Sequence, residues 1–276
     1  MVRTLKQSQW IRGAVRAAPV LSILLGLVIF GGGTGCASTQ GGAAINKLYE
    51  AHSAYDNGDF PRAARLAGEF VAASPKGSDA SRAYYVRALT HARDGRRNAA
   101  FDDLNRALEA SDDPDVRWRA LAQRGVMRFE DERWAEASAD LEAAIERMPR
   151  SGRTDWFLYR LGQALERTGR WADARAKFQR VVNEFPTGPV TPNARRRLAL
   201  NLDHFSIQCG VFQKKENATR VAADLGRQRF ASGVYRDARP EGDHWVVRVG
   251  RYSTYAEAQD ALARIKSHVA DAVIWP

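Results

Sequence analysis

Side chains capable of covalent or metal chemistry are few and scattered in this chain. His52, His91, His204, His244 and His268 stand singly, without metal-ligand spacing and without a clustered carboxylate. There is no G-x-S-x-G and no phosphate-cradling glycine loop. No catalytic residue, metal or cofactor is therefore expected, and the chain reads as a non-enzyme. Hydrogen bonding and stacking are better served. In "FSIQCGVF", residues 205–212, Phe205, Ile207, Cys209 and Val211 alternate with Ser206, Gln208 and Gly210. That period of two belongs to a half-buried strand. It puts Gln208, an amide with both donor and acceptor capacity, on the open face. Parity sends Ser206, Arg248 and Trp275 to the same face, with Tyr235 as a neighbour, and puts Trp245 on the other side with Val247 and Val249.

The elements that must hold this face follow in order. "KKENATRVAADLGRQRF" (214–230) is an amphipathic helix with Ala218, Val221, Ala222 and Leu225 on one side. Strands at 232–238 and 244–252 flank the turn-forming "RPEGD". A second helix, 254–269, opens with Thr254 and has Glu257 three residues on, a capping box. "DAVIW" (271–275) closes the series as a short strand. This βαββαβ order predicts a ferredoxin-like α+β sheet with both helices on one face and the other face open.

"IQCGVF", then Asn217-Ala218, then "VVRVGRY" followed by "AEAQDAL", resembles the SPOR domain over about residues 204–276. The resemblance implies binding of peptidoglycan, preferably glycan strands stripped of stem peptides, with Gln208 as a glycan contact. Ser206, Tyr235, Arg248 and Trp275 are the further candidates, because a sugar polymer offers hydroxyls, acetamido groups and apolar ring faces to amides and aromatic platforms. Where the family often reads Gly-Pro-Phe, this chain has Gly250-Arg251-Tyr252. Some members pair a cysteine at the Cys209 position with one on the last strand, where this chain has Ala272. Cys209 is read as a buried small hydrophobe. RNA-recognition modules share the topology, but the aromatic-rich strand they stack bases on is missing, so no nucleic-acid partner is expected.

The middle of the chain lines up with itself in steps of 37 residues. Ala63, Ala100, Ala137 and Ala174 recur at that interval, as do Gly58, Gly95, Glu132 and Gly169. Two residues after the latter come Phe60, Arg97, Trp134 and Trp171. Each unit reads as helix, short turn, helix. Small residues in the first helix (Ala51, Ala88, Gly125, Gly162) face alanines in the second, and the aromatic after the turn fills the hairpin gap. Arg97 breaks that rule and should weaken packing in its unit. The pattern resembles the tetratricopeptide repeat (TPR) over about residues 44–190, with a capping helix at 192–202. An α-helical TPR-like superhelix that folds on its own is expected, since each unit packs only on its neighbours. TPR stacks hold peptides or partner proteins in a concave groove. Tyr84, Tyr85, Trp118, Trp156 and Tyr159 are read first as packing between repeats and second as groove contacts.

The formal net charge is +10, four of whose cations (Arg3, Lys6, Arg12, Arg16) precede the apolar run 17–30 and then "GGGTGCAST". That run suits a signal peptide better than a membrane span, which needs roughly 20 residues. Thr34-Gly35-Cys36 resembles a bacterial lipobox, departing from it at Gly33, and implies lipidation at Cys36. Ala37 rather than aspartate implies sorting to the periplasmic face of the outer membrane. The expected organisation is thus 1–35 lipoprotein signal peptide, 36–43 flexible linker, 44–203 helical repeats with capping helix, and 204–276 SPOR domain. The expected role is an envelope lipoprotein that binds glycan strands through one domain and a protein partner through the other, in cell division or envelope organisation. The alternative is a TPR scaffold for outer-membrane assembly or Tol-Pal coordination, with wall binding secondary.

Overall fold

The computed structural model describes residues 39–149, 153–239 and 242–276. The signal-peptide reading of 1–35 and the lipidation of Cys36 lie outside the described residues. Four helical hairpins come first: α1 (Thr39–Asp56) with α2 (Phe60–Ala73), α3 (Ser78–Arg93) with α4 (Arg97–Ala110), α5 (Pro114–Glu130) with α6 (Trp134–Arg147), and α7 (Thr154–Arg167) with α8 (Trp171–Glu184). A capping helix, α9 (Thr191–Leu200), follows. The first helix begins at Thr39, inside the stretch read as a linker.

The 37-residue register has a backbone cause. Gly58, Gly95 and Gly169 sit in the left-handed region, at φ 80°, 73° and 79°, and Glu132 takes the same conformation at φ 59°. There the chain reverses, and the next N–H reaches back five residues: Asp59 to Ala54, Arg96 to His91, Arg133 to Arg128 and Arg170 to Leu165, at 2.8–2.9 Å. This is the glycine-favouring end of a helix, repeated four times.

Close helix approach accounts for the small residues. Ala51, Ala88, Ala63, Ala100, Ala137 and Ala174 are buried. A Cβ added at Gly125 would lie 2.9 Å from the Leu141 side chain, and one at Gly162 would lie 2.5 Å from the Phe178 ring. The residues after the turn divide by unit. Phe60 packs edge-on against Tyr55 and Trp134 against Phe129, across their own hairpins. Arg97 instead reaches the following unit, donating to the Met127 carbonyl at 2.8 Å and pairing with Asp131 at 2.6 Å and Glu130 at 3.1 Å. An ionic clamp between repeats takes the place of a ring.

The C-terminal part runs β1 (Phe205–Phe212), α10 (Lys215–Arg227), β2 (Ser232–Arg239), β3 (Gly242–Tyr252), α11 (Tyr255–Ile265) and β4 (Val273–Trp275). Its strands form one antiparallel sheet in the order β2-β3-β1-β4, the split βαβ arrangement expected. Ile207, Cys209, Val247, Val249, Leu225 and Ile265 lie in one core between sheet and helices. The strict alternation expected through residue 212 does not hold, because the pairing of β1 with β3 slips between Gln208 and Gly210. Beyond that bulge it is Phe212, opposite Trp245, that packs on the helix-side core, not Val211. Trp245 is on the predicted side, with the Lys215 ammonium 5.0 Å from its ring centre.

The two parts are joined more closely than an array packed only on its own repeats would be. Trp171 belongs to the core of the C-terminal domain, and its indole Nε1–H donates to the Ser253 carbonyl at 2.9 Å. The Arg167 guanidinium is 3.7 Å from the Tyr255 ring centre, 5.5 Å from that of Phe205 and 5.6 Å from that of Trp134. Trp171 therefore fills a domain interface.

Candidate functional site

Strand register builds the site. Ser206 lies opposite Trp275 on β4, and Gln208 lies between Arg248 on β3 and Val273 on β4. Arg248 in turn pairs with Gly233 on β2. A Cβ added at Gly233 would stand 3.1 Å from the Tyr235 ring, so the glycine leaves room for that tyrosine to lie back along β2. The result is a stack on the open face. The Arg248 guanidinium carbon is 3.4 Å from the Trp275 ring centre and 5.3 Å from that of Tyr235. Such a cation sandwich contributes roughly 0.5–2 kcal/mol per ring, depending on desolvation, and holds both rings in place.

A cavity of about 520 Å³ opens beside this stack. Ser206, Tyr235, Arg248, Gly250 and Trp275 form its sheet side. The segment Leu200–His204, Arg251 and, from α8, Arg175 form the rest. Two polar atoms of the sheet side, Ser206 Oγ and Arg248 Nε, are buried without a hydrogen-bond partner among the described residues. Buried polar groups are paired in the great majority of cases, so such a couple in a cavity wall makes it a candidate binding site. Burial pushes the Arg248 pKa down, opposed by Tyr235 and Asp237, yet an arginine stays charged at any physiological pH. On the opposite wall the Asp203 carboxylate accepts from Arg251 Nη2 at 3.0 and 3.1 Å and pairs with His204.

Four of the five residues expected on this face (Ser206, Tyr235, Arg248 and Trp275) come together in the cavity. Gln208 differs from the expectation of an amide projecting from the face. It is 7% exposed and does not line the cavity. Its strand is central, flanked on both sides, and its place in the register is one same-face position beyond Ser206. Cys209 is free and buried, and burial pushes its thiol up to about 11, as suits a small hydrophobe. Arg175, Asp203 and His204 carry no local sequence signal for this site, because it takes the packing of α8 and of the 200–204 segment against the sheet to bring them there, whereas Arg251 is on β3 itself.

In the repeats, Tyr84 and Trp118 are buried and Tyr159 packs 5.5 Å from Phe178, the packing roles expected first. Trp156 is half-buried between Arg153 and Arg160, whose guanidinium carbons are 5.7 and 5.1 Å from its ring centre. Two ion pairs lie outside the hydrophobic pattern of the repeats. Arg87 binds Asp103 through two bonds of 2.7 and 2.6 Å, and one repeat later Arg124 binds Asp140 through two of 2.8 and 2.7 Å. The 37-residue step separates both the arginines and the aspartates, and that was the available signal. No group of three or more His, Cys, Asp or Glu placed to hold a metal occurs among the described residues. No described helix is long and apolar enough to cross a membrane.

Residues 201–275 match the family model described as the SPOR domain, and residues 48–115 and 123–189 match a tetratricopeptide repeat model. No match was found among curated proteins. Among solved structures, a TPR protein with an unusual peptide-binding site, YrrB, is 19% identical over 57% of this chain and 75% of its own, with a TM-score of 0.47. MamA is 18% identical over 54% and 81%, with a TM-score of 0.45. PilF of Pseudomonas aeruginosa is 14% identical over 85% and 95%, also with a TM-score of 0.45.

Proposed function

The chain carries a tetratricopeptide repeat array joined to a SPOR domain, and from that premise we propose a non-enzymatic envelope protein that ties a protein partner to the cell wall. Both modules are non-catalytic binding modules, one for peptidoglycan and the other for proteins. Our finer reading is that the SPOR sheet binds glycan strands stripped of stem peptides, and that the repeats hold a component of cell division or envelope organisation. The observation that carries the glycan assignment is the Trp275–Arg248–Tyr235 stack beside a cavity with unpartnered Ser206 Oγ and Arg248 Nε. Sugar rings present C–H faces to aromatic rings, and their hydroxyls and acetamido groups serve such polar atoms. Gln208 sits next to this cluster on β1 and belongs to the same proposed contact set. We further propose lipidation at Cys36 and a place at the periplasmic face of the outer membrane, supported by the basic and apolar segments that precede Thr34-Gly35-Cys36.

Cosedimentation of the full chain with purified sacculi tests this reading. Binding should rise when an amidase has removed the stem peptides. Equal recovery in the pellet with and without sacculi would reject it.

A further inference from the structure

We propose that the repeat array supplies the second wall of the glycan cleft, and that Arg175 on α8 receives a carboxylate borne by the saccharide. This rests on the glycan-binding reading above and deepens it. The cavity is not a property of the sheet alone, since Arg175, Leu200 and Leu202 line it together with Ser206, Arg248 and Trp275. Docking fixes that wall. Trp171, the first residue of α8, is pinned by its bond to the Ser253 carbonyl. Arg175 follows one turn later on the same side of the helix, where residues four apart are neighbours. Its Nη2 donates to the Leu202 carbonyl at 3.3 Å, which holds the guanidinium at the cavity rim.

Charge defines the occupant. Three arginines (Arg175, Arg248, Arg251) line the cavity against one aspartate, Asp203, which Arg251 and His204 already engage. Arg175 makes no ion pair among the described residues. A cleft with this excess of cation suits an acidic sugar better than a neutral one. Removing the stem peptide from peptidoglycan turns a lactyl amide into a free carboxylate once per disaccharide. A peptide-free strand therefore carries, at regular spacing, the group that an arginine fork binds best.

The test uses the full chain and two probes prepared from peptide-free glycan oligosaccharides: one with its lactyl carboxylates intact, the other with them converted to carboxamides. Wild type should bind the carboxylate probe more tightly than the carboxamide. Arg175→Ala, at an exposed position, should weaken the carboxylate probe on the order of tenfold and leave the carboxamide unchanged. Arg180→Ala, on the same helix and paired with Glu184, is the control and should alter neither. If wild type binds the carboxylate probe and Arg175→Ala binds it equally well, the composite cleft is refuted and glycan binding stands. An equal loss on both probes refutes the carboxylate assignment. If wild type binds neither probe, the glycan reading falls and this inference falls with it.

Discussion

At the scale of single residues, the positions that depart from a repeating pattern are the informative ones. Glu132 stands where the other three hairpins have glycine, and it holds the same left-handed backbone. A side chain in that region is disfavoured by roughly 1–2 kcal/mol relative to ordinary conformations. Its one inter-domain bond, accepted from Gln259 at 3.4 Å between exposed side chains, is weak recompense. Glu132→Gly should therefore raise stability by about 0.5–1 kcal/mol, read as a higher denaturant midpoint with an unchanged slope. A lower midpoint would mean that the Gln259 contact outweighs backbone strain. The 37-residue spacing was legible in the sequence because glycine is so nearly obligatory at this turn. The burial of Gln208 was not, since period two gives a side chain's face but not what lies on either side of its strand.

At the scale of elements, the two helices of a repeat are joined by more than apolar packing. Asp140 is 5% exposed and accepts from both Arg124 and Arg128, the latter at 2.6 Å. Removing one partner of a buried ion pair leaves an uncompensated charge and costs roughly 3–5 kcal/mol. Asp140→Ala should accordingly be among the most damaging substitutions in the array. The double change Asp140→Ala, Arg124→Met should recover part of the loss, which a thermal melt would register. No recovery would mean that Arg128 carries most of the interaction. Hydrophobic residues at helical spacing do not reveal this recurring pair, although its 37-residue step equals that of the alanines. The capping box at Thr254 and Glu257 is legible in the sequence because it is local: Thr254 Oγ1 accepts from the Glu257 N–H at 3.3 Å, and Glu257 accepts from the Ser253 and Thr254 N–H groups. That cap has a second role, since it presents the Ser253 carbonyl to Trp171 and the Tyr255 ring to Arg167.

At the scale of the whole molecule, the array and the SPOR domain share a buried boundary. Burial pushes the Arg167 pKa down, opposed first by Tyr255, and three rings surround its guanidinium. Trp171→Ala would remove a core residue of one domain by changing the other. The SPOR domain should then melt several degrees lower than in wild type, as expected for a loss of a few kcal/mol from a small domain. Unchanged melting would show that the domains merely touch. This boundary was invisible in the sequence, where Trp171 fits the repeat pattern as well as Trp134 does. Helices, strands and their order follow from local periodicity, whereas the cleft's second wall depends on two distant segments meeting.

The central claim is that glycan strands lie against the open face of the sheet, and solution NMR of the isotopically labelled full chain reads it directly. Titration with peptide-free glycan oligosaccharides should shift the Trp275 indole N–H and the backbone amides of Ser206, Tyr235, Arg248 and Gly250. The amides of α10 and of the outer face of α11 should stay in place. Shifts confined to the helix-covered side, or none at saturating glycan, would contradict the account.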